Sequence, residues 1–336
     1  MTDNINNVLA AYNIHPLKIN QVTSQLYYIK DYNKEYALKR SGLTEDMVKQ
    51  WETIYRYSNT QNLDMVLPVY LTKEGNLYYR HEQSIFYLSP WINDTNRERD
   101  TNWVSSFYES LAKLHWKTKR IQKIDIETVS NPFFSFQNYC REMRKQLLTF
   151  IHQFEKKQYM SPFELLVCTH FRDIEYAFVE VDKRINRFIN DHEEDELTWS
   201  SSLCHHRLDH SHIKKSYFIN WESARFDHPV MDLILFFQNE IGSFNPSTEL
   251  YIDNFSSYTD INELTLPELQ FLSIYLLSPT NYIQSINDYV SGVRSLSMIQ
   301  HVTNIQHEYR KIIFGLQWSA FIEKEYETLD LDDLEV

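Results

Sequence analysis

Five glycines in 336 residues restrict what this chain can build: Gly42, Gly75, Gly242, Gly292 and Gly315 lie 33, 167, 50 and 23 positions apart. No two can share a loop. A GxGxxG dinucleotide turn or a GxxxxGKS/T phosphate loop needs glycines within about six residues, because there the backbone must approach phosphate without a Cβ in the way. Both motifs are excluded.

Cys140, Cys168 and Cys204 are 28 and 36 residues apart, which excludes paired CxxC zinc ribbons, and three thiols make no disulfide framework. A reducing compartment fits. The opening MTDNINNVLAAYNI has neither a basic stretch nor an uninterrupted apolar run, and no apolar run elsewhere is long enough to span a bilayer. A soluble, leaderless chain is expected. Net charge is 33 − 46 = −13, of which the last fourteen residues contribute −6 through seven acids and one lysine. No basic stripe exists, so neither nucleic acid nor a membrane is an expected partner. The chain is 43% hydrophobic and 15% aromatic. That fills large cores, and the length predicts two lobes.

The first ninety residues read as strands around one helix. VTSQLYYIKDYNKEYALKR, residues 22–40, is two β-rich runs about a polar turn. Residues 44–59 read as a helix with Met47, Trp51, Ile54 and Tyr55 on its apolar face. MVLPVYLT, NLYYRHE and SIFYLSPWI follow as further strands. Beyond Trp91 helices dominate, over 103–118, 136–157, 266–277, 283–290 and 298–326. The clearest start is Ser161-Pro162 with Glu164 at N3, a capping box. Behind it Val167, Phe171, Ile174, Phe178, Val181, Ile185 and Phe188 recur at alternating steps of four and three. Such a seam packs on another helix, and its shortness favours an intramolecular hairpin with the helix before it.

Residues 203–237 read LCHHRLDHSHIKKSYFINWESARFDHPVMDLILFF, with a hairpin at HIKKSYFIN and a proline-initiated helix at HPVMDL. Here the chain resembles the aminoglycoside phosphotransferase and choline kinase superfamily, whose second lobe carries an HGDxHxxN loop, a hairpin, an IDWE-like metal site and a DPxxDL helix. The resemblance implies an α+β, two-lobed, protein-kinase-like fold: a small antiparallel-sheet N-lobe over residues 1–92 and a larger, mostly helical C-lobe over 93–322, with the charge run marking an acidic tail over 323–336. It puts Lys39 of YALKR at the strand lysine that holds nucleotide phosphates, with Glu52 as its expected helix partner. YLSPWI looks like the inter-lobe hinge, and Asp232 like the aspartate that braces the catalytic loop.

Against that pattern the chemistry is depleted. His205 keeps the motif histidine, His206 replaces its glycine, Arg207 stands at the catalytic aspartate, His212 at the metal-binding asparagine and Asn220 at the metal-binding aspartate. Arginine accepts no proton near neutral pH, and Mg²⁺ prefers carboxylate oxygen to imidazole or amide. The glycine-free turn VTSQLYY puts ATP binding in question. These departures predict a catalytically inactive pseudokinase with no metal and no cofactor, in which Lys39 and Glu52 are a nucleotide-binding remnant. One rival is an active small-molecule phosphotransferase that uses a displaced Asp209. Another is a metal module built from His205, His206, His210 and His212.

Within the superfamily, the INWE strand and the HP helix are similar to the CotS and YsxE group of Bacillus-type spore coat proteins. That resemblance implies a structural role in spore coat assembly through contacts with other coat proteins, after synthesis in the mother cell cytoplasm.

Overall fold

The computed structural model describes residues 2–93, 102–190, 196–242, 248–292 and 295–327. Its strands are β1 (Lys18–Gln21), β2 (Leu26–Lys30), β3 (Glu35–Ser41), β4 (Tyr79–His81), β5 (Ser84–Pro90), β6 (Arg120–Asp125), β7 (Glu196–Cys204), β8 (Ile213–Lys214), β9 (Tyr217–Phe218) and β10 (Arg225–Asp227). Its helices are α1 (Thr2–Ala11), α2 (Glu45–Thr60), α3 (Trp103–Thr118), α4 (Ile126–Glu155), α5 (Pro162–Asn190), α6 (Val230–Glu240), α7 (Thr248–Asp253), α8 (Ser256–Thr259), α9 (Leu266–Leu276), α10 (Thr280–Ser291) and α11 (Met298–Ile322). The chain divides into two compact units, Met1–Lys117 with Leu203–Phe226, and Thr118–Ser202 with Asp227–Val336. The first unit therefore holds α3 and the whole HHRLD to INWE segment as well as the small sheet, and does not stop near residue 92.

In the first unit five antiparallel strands form a sheet in the order β1-β2-β3-β5-β4. The expected hairpin is β2 with β3, in register Ile29 to Tyr36. Strand alternation turns Ile29, Leu38 and Leu88 onto Val8 and Leu9 of α1. Lys39 and its cross-strand neighbour Tyr87 take the other face, where the Trp51 ring of α2 lies 5.0 Å from that of Tyr87. The apolar face of α2 buries Val48 with Trp51, Ile54 and Tyr55, while the expected Met47 is exposed. MVLPVYLT is not a sheet strand. The Phe218 N–H of β9 donates to Met65 O at 2.7 Å, and Leu67 N–H returns to Phe218 O at 3.3 Å, so this segment pairs with the later hairpin.

The second unit is built on the α4/α5 hairpin that the seam predicts. Ser161 Oγ accepts from Glu164 N–H at 3.2 Å, and a Glu164 carboxylate oxygen accepts from Ser161 N–H at 2.8 Å, which is the expected capping box. Of the seam, Val167, Ile174, Phe178, Val181, Ile185 and Phe188 are buried and Phe171 partly so, in one core with Met143, Leu147, Phe150 and Phe154 of α4. Sequence periodicity misses β6 and β7, an antiparallel ribbon that pairs Ile121 with Ser200 and Lys123 with Thr198. The acidic tail is not wholly a tail. Residues Glu323–Glu327 continue α11 as a π-turn, and Glu327 is buried against Arg184 and Arg187; residues 328–336 lie outside the described residues. Among the described residues no helix is long and apolar enough to cross a membrane.

Two predictions follow from the packing of this unit. A Cβ on Gly315 of α11 would stand 2.5 Å from the backbone oxygen of Leu276. Gly315→Ala should therefore destabilise by ~1–3 kcal/mol through overpacking, despite the better helix propensity of alanine. Urea denaturation reads this; a gain in stability would show that α9 and α11 do not need the glycine.

The second prediction concerns Glu268, buried in the first turn of α9. Burial raises its pKa, but hydrogen bonds from His228 Nε2 at 3.1 Å, Ser200 Oγ, and Thr265 N–H at 2.9 Å outweigh it and hold the carboxyl at about 2. A carboxyl that is harder to protonate folded than unfolded contributes stability fully above pH ~4.5 and loses it as pH falls toward ~2, on the order of 3 kcal/mol. Glu268→Gln should lower stability at neutral pH and flatten the acid limb of the stability curve between those limits. An unchanged acid limb would remove Glu268 from the account.

Candidate functional site

The functional segment of the first unit is fixed by its own backbone. His205, fully buried, donates from Nε2 to Ile219 O at 2.8 Å and accepts Arg207 N–H at Nδ1, 3.3 Å. It thus ties the loop to Ile219, the first residue of INWE, just past β9. Trp221 packs its ring 5.0 Å from that of His205 and donates Nε1–H to Phe218 O at 2.8 Å. His206, at the motif glycine, has φ +59°, and Asn220 has φ +74°. The left-handed backbone at His206 is the reason a glycine suits this position, and a non-glycine residue there carries a cost of ~1 kcal/mol. Asparagine tolerates the region better than most residues.

Asp209 caps the short turn over His210–His212. Its Oδ1 accepts from Ser211 N–H at 2.7 Å, Ser211 Oγ at 2.5 Å and His212 N–H at 3.2 Å. Partial burial opposes its charge, yet the Ser211 and His212 interactions hold its pKa below the ordinary value, so it stands as a carboxylate. Its side chain remains 32% exposed and can meet a ligand. Arg207 turns its side chain to solvent and gives the loop only backbone groups: N–H to His205 and C=O to His212 Nδ1, 2.6 Å.

Lys39 meets this segment. Its Nζ lies 3.0 Å from Glu222 Oε1 and also donates to Asn220 Oδ1. Tyr87, its neighbour across the sheet, donates from its hydroxyl to Glu222 at 3.1 Å. Burial lowers the pKa of Lys39, Glu222 opposes that shift, and the positive charge of Arg207 adds to it. Burial and the Glu222 carboxylate raise that of Tyr87. Glu52 is not the partner of Lys39. It lies on α2 at 3.7 Å from Arg56, one helical turn away, so the expected strand-lysine to helix-glutamate pair is replaced by a pair with the residue two beyond Asn220. The signal was within INWE: an acid directly after the tryptophan.

His212 is largely buried, and its pKa is lowered by that burial, with Asp209 opposing. Its Nε2 faces Asn220 Nδ2 at 2.9 Å. Hydrogen bonds therefore run unbroken from Asp209 through His212 and Asn220 to Lys39, Glu222 and Tyr87. The four histidines do not converge. Both ring nitrogens of His205 are committed to backbone, those of His212 to the Arg207 carbonyl and the Asn220 amide, the His210 ring lies tilted 4.9 Å from that of Trp103, and the four make no ligand cluster among the described residues. Asp232 lies in the other compact unit, fully buried in the first turn of α6.

No protein-family model and no curated protein sequence matches the chain. Solved structures do. An aminoglycoside phosphotransferase from Alicyclobacillus acidocaldarius superposes with a TM-score of 0.71 at 14% identity over 96% of each chain. The fold is kinase-like. Spectinomycin phosphotransferase in complex with ADP and spectinomycin gives 0.56 at 14% identity, over 94% of this chain and 98% of that one. A microcompartment-associated aminopropanol kinase gives 0.54 at 9%, over 95% and 98%. These likenesses bear out the two-lobed α+β architecture.

They also correct the expectation that the chain is not an enzyme. The structures it matches end to end are, by name, phosphotransferases and kinases. The expectation of inactivity rests on the side chains at Arg207, His212 and Asn220 alone. In the folded segment, the carboxylates of Asp209 and Glu222 stand two residues beyond Arg207 and Asn220.

Proposed function

We propose that the chain is a small-molecule phosphotransferase that moves the terminal phosphoryl group of a nucleoside triphosphate to an acceptor hydroxyl, with Asp209 as the carboxylate that receives the proton. The observation that carries this reading is the hydrogen-bonded series from Asp209 to Lys39 and Glu222 within one compact unit. The names of the structures sharing the fold support the reaction class.

In the reaction the acceptor oxygen bonds to the terminal phosphorus. The bond from that phosphorus to the bridging oxygen breaks, and its electron pair leaves with the nucleoside diphosphate. The acceptor proton passes to Asp209. A carboxylate kept ionised at neutral pH orients the hydroxyl and takes its proton late, which suits a loose phosphoryl transition state. Lys39 holds phosphate oxygens, and the exposed Arg207 adds positive charge beside it.

This chemistry implies a divalent cation, and the oxygens present fit one. Asn220 Oδ1 and the Glu222 carboxylate already converge on one ammonium, and Mg²⁺ is commonly held by one or two protein oxygens together with phosphates. Those two residues would hold it, and when bound it supplies neutralisation of the phosphate charge.

The likeness of INWE and the HP helix to the spore coat group supports one further element of the proposal. The enzyme is made in the mother cell of a spore-forming host and deposited in the coat through contacts with other coat proteins.

Two experiments test these statements. Asp209→Asn keeps an oxygen to cap the turn but loses the base, so phosphate transfer from ATP to a panel of amino alcohols and aminoglycosides should fall at least ~100-fold with the urea midpoint little changed. Transfer that survives the substitution would remove Asp209 from the mechanism, and no transfer by the unaltered chain would reject the reaction. A fluorescent fusion under its own promoter should ring the forespore; a diffuse signal through vegetative growth would reject the coat placement.

A further inference from the structure

We propose that His212 is a positioning residue: held as its Nδ1–H tautomer, it fixes the Asn220 carboxamide with Oδ1 turned toward Lys39. Its functional consequence rests on the phosphotransferase reading; its geometry does not.

The hydrogen bonds between Lys39 and Arg207 can be wired in only one sense. At one end the ammonium of Lys39 has protons and no lone pair, so the atom facing it must be Asn220 Oδ1. The amide then presents Nδ2, a pure donor, to His212 Nε2 at 2.9 Å, and Nε2 must carry the lone pair. The ring proton is left on Nδ1. There it donates to the carbonyl oxygen of Arg207 at 2.6 Å, with Asp209 Oδ2 3.2 Å away as a second acceptor. A donor-only group at one end and acceptor-only groups at the other demand the same polarity.

The mount of the ring is equally constrained. His212 O accepts Ile219 N–H at 2.9 Å, and His212 N–H donates to Asp209 O at 3.1 Å. The imidazole is thereby tied to the strand that delivers Asn220. With the His212 side chain only 11% exposed, water competes poorly for Nε2.

This wiring matters once nucleotide arrives. Lys39 itself holds Oδ1 from one side. When phosphate oxygens engage the ammonium, His212 is the partner among the described residues that keeps the amide from turning over and presenting N–H groups to the cation side. An aspartate at 220 would not need it, since a carboxylate offers oxygen in either orientation.

The test has two readouts on the full chain. Nitrogen-15 NMR of labelled histidines, with His212 assigned by its displacement in Asn220→Asp, should show Nδ1 protonated and Nε2 bare at neutral pH. An Nε2–H tautomer or an imidazolium would overturn the proposal. Calorimetric titration with Mg·ATP should show His212→Leu weakening affinity about tenfold when residue 220 is asparagine, and by less than about twofold in the Asn220→Asp background. Equal losses in both backgrounds would mean that His212 is merely structural, and would also overturn it. If the unaltered chain bound no Mg·ATP, the phosphotransferase reading would fall, while the tautomer readout would still decide the positioning. Should His212→Leu fail to fold, the NMR readout, which does not use it, stands alone.

Discussion

A lysine ammonium withdrawn from water must be given back what water supplied, and the site of this chain is organised by that demand. Lys39 emerges from β3 on the face shared with Tyr87, where its side chain is only 18% exposed. Leaving such a charge unpaired costs several kcal/mol or forces it to lose its proton. Glu222 and Asn220 answer it directly, Tyr87 satisfies the second demand on Glu222, and His212 that on the Asn220 amide. Each group engaged leaves another polar atom to satisfy, and the series ends only at Asp209 and the Arg207 backbone. A half-satisfied network of this kind would be worse than an apolar one, so the loop, the hairpin and the sheet are specified together.

The scarcity of glycine leaves its mark on the same region. Among the described residues the left-handed backbone positions fall mainly to others: Asn13, Asn62, Glu82, His206, Lys215 and Asn220, against Gly75 and Gly292. Three of the six, His206, Lys215 and Asn220, lie in the functional segment. Strain of this kind persists only where the surroundings over-determine the conformation, and His206 and Asn220 are flanked by residues whose backbone and side chains are held on both sides. Gly315 is spent differently, on the close approach of two helix backbones. The glycine count thus excludes phosphate loops without limiting the sharp turns that the site needs.

What was legible in the sequence divides along the range of the forces involved. The Ser161 capping box, the period of the α5 seam and the β2/β3 hairpin are written in residues a few positions apart, and all three stand as read. The β6/β7 ribbon was not legible. Its strands are separated by two long helices, β6 is almost wholly exposed, and nothing in RIQKID or ELTWSSSLC repeats strongly enough to reveal the other. MVLPVYLT reads as a strand by composition, but the backbone partner of its first residues, Phe218, lies about 150 positions away and no propensity can choose it, while Tyr70 N–H turns to Leu88 O of β5. The partner of Lys39 was missed for a related reason. A helix glutamate is the habitual answer in kinases, yet whether Glu52 or Glu222 reaches the ammonium depends on how α2 is turned, and α2 turns Glu52 toward Arg56.

The register of a motif and the placement of its oxygens are separate matters, and Arg207 shows how they come apart. A guanidinium cannot do the work of the carboxylate that the motif expects there. The loop nevertheless uses only the amide and carbonyl of that residue, groups every amino acid except proline supplies, so the side chain is free to differ without disturbing His205 or His212. Two residues later Asp209 is held in place by three donors and kept ionised, and two residues beyond Asn220 the carboxylate of Glu222 faces Lys39. A loss scored position by position is therefore weak evidence of inactivity whenever backbone groups carry the scaffold. The electrostatic requirement is for oxygen at the right distance from phosphate and acceptor, and a chain can meet it from neighbouring positions once the turn that presents them is tightly capped.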